Sequence, residues 1–173
     1  MNYIKIDSCN MNNGSGLRCV VWVSGCNHHC KNCFNPETWD NSNGDEFGEE
    51  QFNFICDTLH QPWCSGITFS GGDPLCQDST GFHIMNQLAL TARSLGKTVW
   101  LWTGFKWEDI WNDESDMRIY RQNLISLCDV VVDGQYVDSL RDLTLKWRGS
   151  SNQRVILSRM SINQKEPILM EGT

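Results

Sequence analysis

The chain has 173 residues, 40% of them aliphatic, aromatic or sulfur-bearing, proportions that suit one soluble domain around one core. Fourteen Lys and Arg against 21 Asp and Glu leave a net charge of −7, which speaks against nucleic acid as a partner, because phosphate binding needs a basic face. No window approaches the roughly 18 apolar residues of a membrane span, and Met1 to Ser8 lacks a secretory h-region, so a cytoplasmic protein with no membrane partner is expected.

In chain order, a polar opening from Asn10 to Gly16 leads into Leu17 to Ser24, an apolar run that reads as a buried strand ended by Gly25. A cysteine-rich loop follows at once, and Asn41 to Gly44 is a polar turn. Phe47, Phe52, Ile55 and Leu59 recur at helical spacing between Glu46 and Leu59. Gly66 to Ser70 reads as a short strand broken by Gly71 and Gly72. Ser79 to Leu95 reads as a helix with Gly96 as its C-cap. Thr98 to Thr103 is the next strand, and Trp107 to Leu127 is helical in pieces. Cys128 to Val132 is a further buried strand, and Arg154 to Leu157 the last. Strand, loop and helix repeat about four times, which predicts an α/β fold with a mainly parallel sheet in a single domain. Closing an eight-stranded barrel typically takes about 250 residues, so a partial barrel or open sheet with fewer than eight strands is expected.

Nine cysteines without a signal peptide point to reduced thiols and metal binding rather than disulfides. Cys26, Cys30 and Cys33 are tightly spaced; Cys56 and Cys128 sit among apolar neighbours and read as small core residues. Three thiolates within one short loop, with no obvious fourth, suit a 4Fe–4S cluster with one iron left open. Structural zinc with His28 or His29 as fourth ligand is the competing reading, although both histidines lie inside the cysteine loop. The two histidines read either as solvated loop residues or as donors to a cluster sulfur.

Each remaining unusual motif follows a strand, where parallel α/β folds carry their sites. Ser70-Gly71-Gly72-Asp73-Pro74 is a tight turn whose carbonyls and carboxylate suit a ligand ammonium, and a plain turn is its alternative. No GKS or GKT continuation supports a phosphate loop. Thr103 and Asp133 end two further strands; a buried Asp133 needs a partner or a ligand. Arg148 to Arg154 is dense in small polar groups and suits a carboxylate, a ribose, a partner protein or a hydrogen-bonded loop. Trp107 and Trp111 read as an exposed patch for a protein partner.

Taken together, these motifs resemble those of the radical S-adenosylmethionine (SAM) enzymes. Cys26-x3-Cys30-x2-Cys33 matches the cluster motif of that superfamily. Asn13 to Arg18, Gly71-Gly72-Asp73-Pro74, Trp102-Thr103-Gly104, Val132-Asp133-Gly134 and Arg148 to Gln153 narrow the resemblance to activases of anaerobic ribonucleoside-triphosphate reductases. It spans about residues 13 to 154, and residues 160–173 extend beyond it. The resemblance implies a radical SAM partial (β/α) barrel. It implies a cluster on Cys26, Cys30 and Cys33, and S-adenosyl-L-methionine on the open iron. It further implies reductive cleavage of that cofactor and abstraction of hydrogen from a glycine in the reductase. Cofactor contacts are then expected from Gly71, Gly72, Asp73, Pro74, Thr103, Asp133, Ser150 and Asn152. Asn32 stands where many superfamily members carry an aromatic against the adenine; the aromatic here is Phe34, after the third cysteine, as in the activases. The implied partners are the glycyl-radical subunit of the reductase and an electron donor such as flavodoxin. A radical SAM enzyme acting on a metabolite, a non-catalytic zinc or iron–sulfur module, and an interaction-only subunit are the rival readings.

Overall fold

Seven strands build one sheet in the computed structural model, which describes residues 1–173. The strands are β1 (Asn2–Asn10), β2 (Leu17–Val23), β3 (Asp45–Glu46), β4 (Cys64–Gly71), β5 (Thr98–Trp102), β6 (Val130–Asp133) and β7 (Arg154–Leu157). The helices are α1 (Glu49–His60), α2 (Ser79–Ser94), α3 (Trp107–Trp111), α4 (Arg118–Leu127) and α5 (Ser158–Gln164).

The sheet order is β3-β1-β2-β4-β5-β6-β7. Its centre, β2-β4-β5-β6, is parallel, whereas β1 pairs antiparallel with β2 and β3, and β7 pairs antiparallel with β6. The α/β class and the strand number agree with the sequence reading. The sheet is mixed, however, because β1, β3 and β7 add to its two sides without helical crossovers.

Pairing advances in one direction across the parallel centre. Right-handed crossovers then place the connecting helices on one face. Side chains alternate accordingly. Ile67, Phe69, Val99, Leu101, Val131 and Ile156 point into the main core, where they meet Leu59, Phe82, Met85, Leu88 and Leu124 from the helices. Trp100, Val130, Val132 and Val155 point the other way and form a smaller cluster with Trp102, Trp147, Leu157 and Met170. Cys128 is fully buried and Cys56 packs on the edge of the main core, as their apolar neighbours predict. Trp107 and Trp111 correct an expectation: Trp107 is buried, Trp111 packs against the core, and their rings lie 5.6 Å apart rather than forming an exposed patch.

On the face away from the helices, Arg18 is fully buried, and every guanidinium N–H has an acceptor. Nε donates to Thr68 Oγ1 at 2.8 Å, Nη1 to Ser15 O and Thr98 Oγ1, and Nη2 to Ile67 O and Thr98 O. Thr68 Oγ1 in turn donates to Asn13 O at 2.8 Å. This knot straps the polar opening across β4 and β5. Burial pushes the Arg18 guanidinium down to about 10, still well above neutral pH, so the charge is retained.

Candidate functional site

The register aligns the carboxyl ends of the parallel strands: Val23 pairs with Gly71, Phe69 with Leu101 and Trp102 with Val132. The loops leaving these ends therefore emerge together, and they wall a cavity of about 830 Å³. Cys26, Cys30 and Cys33 line it, with Gly71, Gly72, Asp73, Thr103, Phe34 and Arg148. The cysteine loop is folded by left-handed turns at His29 (φ 46°) and Asn32 (φ 57°), and Cys33 N donates to Cys30 O at 3.1 Å. Its base is held by Gly25 N to Thr38 O at 2.7 Å and Cys26 N to Trp39 O at 3.1 Å.

The glycine pair serves the protein's own packing. Gly71 has φ 102°, and a Cβ there would lie 2.7 Å from Val23 N; a Cβ on Gly72 would lie 2.5 Å from Gly25 O. The missing side chains let β4 approach the root of the cysteine loop, where Gly72 N donates to Val23 O and Asp73 N to Gly25 O.

Asp73 is buried and is a hydrogen-bond hub. Its carboxylate accepts from Leu75 N, Thr103 Oγ1 and Gly104 N, at 2.8 to 2.9 Å. His28 Nε2 lies 2.8 Å from Asp73 Oδ2, and His28 Nδ1 lies 2.9 Å from Gln135 Nε2. The pattern fits one tautomer, with Nε2–H donating to Asp73 and Nδ1 accepting from Gln135. Phe105 packs edge-on against the imidazole at 4.8 Å. His28 thus fastens the cysteine loop to the ends of β4, β5 and β6 and is no solvated loop residue, whereas His29 is exposed, its ring edge-on to Trp39.

This arrangement speaks against a zinc with His28 as its fourth ligand. The one set of three His, Cys, Asp or Glu whose ligand atoms lie within 4.8 Å of one another is His28, Asp73 and Cys76, and its short contact is the imidazole–carboxylate hydrogen bond. The three loop cysteines form no such set. A tetrahedral zinc with Zn–S near 2.3 Å needs sulfurs roughly 3.8 Å apart. Both nitrogens of His28, moreover, are already engaged. A wider polynuclear centre suits the three thiols better. Burial pushes the Cys26 thiol up to about 11 and raises Cys30 as well, partly countered at Cys26 by the His28 and His29 amides and at Cys30 by the Tyr136 amide. A metal bound there would supply the positive charge that holds such groups as thiolates.

A family model described as a 4Fe-4S single cluster domain matches residues 12–156. The chain is similar to the anaerobic ribonucleoside-triphosphate reductase-activating protein of Enterobacteria phage T4, with 38% identity over 90% of this chain and 93% of that protein. The protein of the same name from Escherichia coli (strain K12) is 36% identical over 90% of this chain and 97% of its own length. The one from Vibrio cholerae is 34% identical over 88% and 96%. The chain belongs to the family of anaerobic ribonucleoside-triphosphate reductase-activating proteins. The 4Fe-4S match supports an iron–sulfur cofactor in this chain, and three thiols line the cavity at the strand ends. Besides the three thiols, Trp22 Nε1, Trp39 Nε1 and Arg148 Nε are buried N–H groups with no acceptor, and all three residues line the same cavity.

Other sequence-derived candidates do not line the cavity. Asn32 is exposed and its Nδ2 donates to Asp138 Oδ2 at 2.9 Å. Pro74 is buried beside the hub. Asp133 is buried and held by Arg154 Nε at 3.0 Å and by Trp107 N at 2.8 Å. Ser150 Oγ accepts from Val137 N, and Asn152 Nδ2 donates to Gln135 O. These groups shape the β6 loop; Arg148 and Gly149, their neighbours in sequence, face the cavity. Sequence reasoning also missed Trp22, Trp39 and the role of His28. A tryptophan in a strand or a turn carries no sign that its N–H lacks an acceptor.

Proposed function

We propose that this protein activates an anaerobic ribonucleoside-triphosphate reductase as a radical SAM enzyme. The observation that carries this reading is the convergence of Cys26, Cys30 and Cys33 on one cavity at the strand ends, in a chain that matches a 4Fe-4S single cluster domain and whose relatives bear that name. The three cysteines would hold a 4Fe-4S cluster with one open iron, in a partial (β/α) barrel whose parallel centre is β2-β4-β5-β6. Bound together, the cluster and S-adenosyl-L-methionine supply one-electron reductive cleavage of the cofactor and hydrogen abstraction from a reductase glycine, leaving a glycyl radical there.

The chain's own residues do the rest. The Gly71–Gly72 turn offers backbone carbonyls to the cofactor ammonium. Asp73, through Thr103 and His28, keeps that turn, the β5 end and the cysteine loop in one geometry. Phe34, exposed at the cavity mouth, offers an aromatic face to the adenine, and its ring rests edge-on against Tyr136 at 5.4 Å. The walls orient the reacting groups, whose chemistry belongs to the cofactors. The electron enters from a donor such as flavodoxin.

The test is anaerobic reconstitution with iron and sulfide, then addition of dithionite, S-adenosylmethionine and the cognate reductase, read by EPR. A glycyl doublet on the reductase that disappears in Cys30→Ala is the expected result. Cofactor cleavage without the doublet would keep the chemistry and reject the substrate. A reconstituted protein with neither cluster nor cleavage would reject both.

A further inference from the structure

Arg121 reaches from the helix layer to the strand ends without lining the cavity. It lies one turn before the buried Leu124 and Ile125 of α4, so helical spacing turns its side chain toward the sheet. That side chain is largely buried. Its Nη1 donates to Asp113 Oδ2 in the α3–α4 linker, and to Ser115 Oγ at 3.4 Å. The same guanidinium touches two supports of the cysteine loop. Nε donates to Leu75 O at 3.0 Å, and the group lies 4.6 Å from the centroid of the Phe105 ring.

Both supports lead to His28, which sits between Cys26 and Cys30 in the sequence. Leu75 belongs to the turn after β4. Its N–H donates to Asp73 Oδ1, the Asp73 carboxylate holds His28 Nε2, and Asp73 N donates to Gly25 O at the root of the loop. Phe105 is fixed by its backbone: its N–H donates to Thr103 Oγ1 at 3.1 Å, and its carbonyl accepts from Gly134 N at 3.0 Å. The ring is the part left to be fixed, and it touches both the Arg121 guanidinium and the His28 imidazole. An arginine suits this post and a lysine does not. A planar guanidinium packs on a ring while its N–H groups bond a carbonyl and a carboxylate, whereas an ammonium is a compact point charge.

We propose that Arg121 is a positioning residue for the cysteine loop: by pinning Leu75 O and the Phe105 ring at once, it keeps His28, and with it Cys26 and Cys30, in the geometry that retains the cluster. The proposal rests on the iron–sulfur reading given above. It gives α4, which supplies no cavity residue, a share in holding the metal. Removing supports that lie outside the ligands themselves typically changes metal affinity or activity by roughly 10- to 100-fold.

The experiment follows iron transfer from the anaerobically reconstituted holoprotein to excess bathophenanthroline disulfonate, well below the unfolding midpoint of each protein. Wild type, Arg121→Gln, Arg121→Lys, Asp113→Asn and Phe105→Leu are compared, and the EPR spectrum and reduction potential of the cluster are recorded alongside. Arg121→Gln and Arg121→Lys should both release iron about 10-fold faster than wild type and alter the EPR g-values. Asp113→Asn, which loosens Arg121 from the α3–α4 linker, should accelerate release less, in the same direction. In Phe105→Leu, where the ring that carries the contact is gone, adding Arg121→Gln should change the rate by less than about threefold. Wild-type release from Arg121→Lys would overturn the proposal, since charge alone would then suffice. So would unchanged release and spectrum in Arg121→Gln, whatever its stability, a shifted potential with unchanged release, or full additivity with Phe105→Leu. Should Arg121→Gln fail to fold, Asp113→Asn decides, and wild-type release from it would overturn the proposal. Wild-type protein that takes up no iron and sulfide would overturn the iron–sulfur reading itself, and Arg121's role with it.

Discussion

His28 and Gly104 show how narrowly single residues fix the cysteine loop. A Cβ on Gly104 would lie 2.4 Å from the His28 ring, so the glycine is there to admit the imidazole. Gly104→Ala must push the ring off Asp73 Oδ2 or distort the β5 turn, and such overpacking costs about 1–3 kcal/mol. In a His28→Ala background the obstacle is gone, and the same substitution should cost less than about 0.5 kcal/mol by the logic of a double-mutant cycle. Urea unfolding of the four proteins measures the difference; additive costs would mean that the ring does not set the identity of residue 104. The three cysteines were legible in the sequence because their spacing is itself the signal. His28 was not, because its role depends on Asp73 and Gln135, which lie 45 and 107 positions away and meet it only in the folded chain.

At the scale of elements, β2, β4, β5, β6 and β7 were all legible as apolar runs, since strands buried on both faces read as continuous hydrophobic stretches. β1 was missed, and for a physical reason: its sequence NYIKIDSCN is half polar and none of its residues is fully buried. The two-residue β3 carries no pattern at all. α5 lies within a tail that the motifs do not reach, yet Ser158 and Ser161 are buried, and Met170 N returns to donate to Val155 O at 2.8 Å. The Arg154 clasp joins three elements. From β7 it binds Asp133 at the end of β6 and, through Nη1 and Nη2, both oxygens of Glu108 in α3. Arg154→Met should destabilise the protein by about 3 kcal/mol, chiefly because buried Asp133 loses its charge partner. Glu108 is half exposed and matters less. The hydrogen bonds from Arg154 hold its carboxyl below the usual range, against a smaller opposing effect of burial. A depressed carboxylate stabilises the fold above its unfolded value and loses that contribution as pH falls through the folded one. Glu108→Gln should therefore cost about 0.2–1 kcal/mol at pH 7 and almost nothing at pH 3, in paired denaturation curves. A gap that widens in acid would contradict the ion-pair account.

Across the whole molecule, the sheet separates the part that holds the protein together from the part that does chemistry. The main core of 24 buried residues fills the face under the helices, and it includes none of Cys26, Cys30 and Cys33. No helix is long and apolar enough to cross a membrane. The cysteine loop is fastened to the strand ends by backbone bonds and by the His28–Asp73 hub, neither of which contains iron. Small metallodomains that lack a core unfold when the metal leaves. On the proposed reading the order of dependence is reversed: the fold would present the thiols, and a bound cluster would add to stability by linkage alone. Stripping the iron, or replacing all three cysteines by serine, should therefore abolish the visible iron–sulfur absorption while far-ultraviolet circular dichroism keeps its native shape. Thermal unfolding should remain a single cooperative transition, lowered by the linkage contribution but not lost. A broad, non-cooperative melt of the iron-free protein would show that the cluster, not the sheet, organises the ends of the strands.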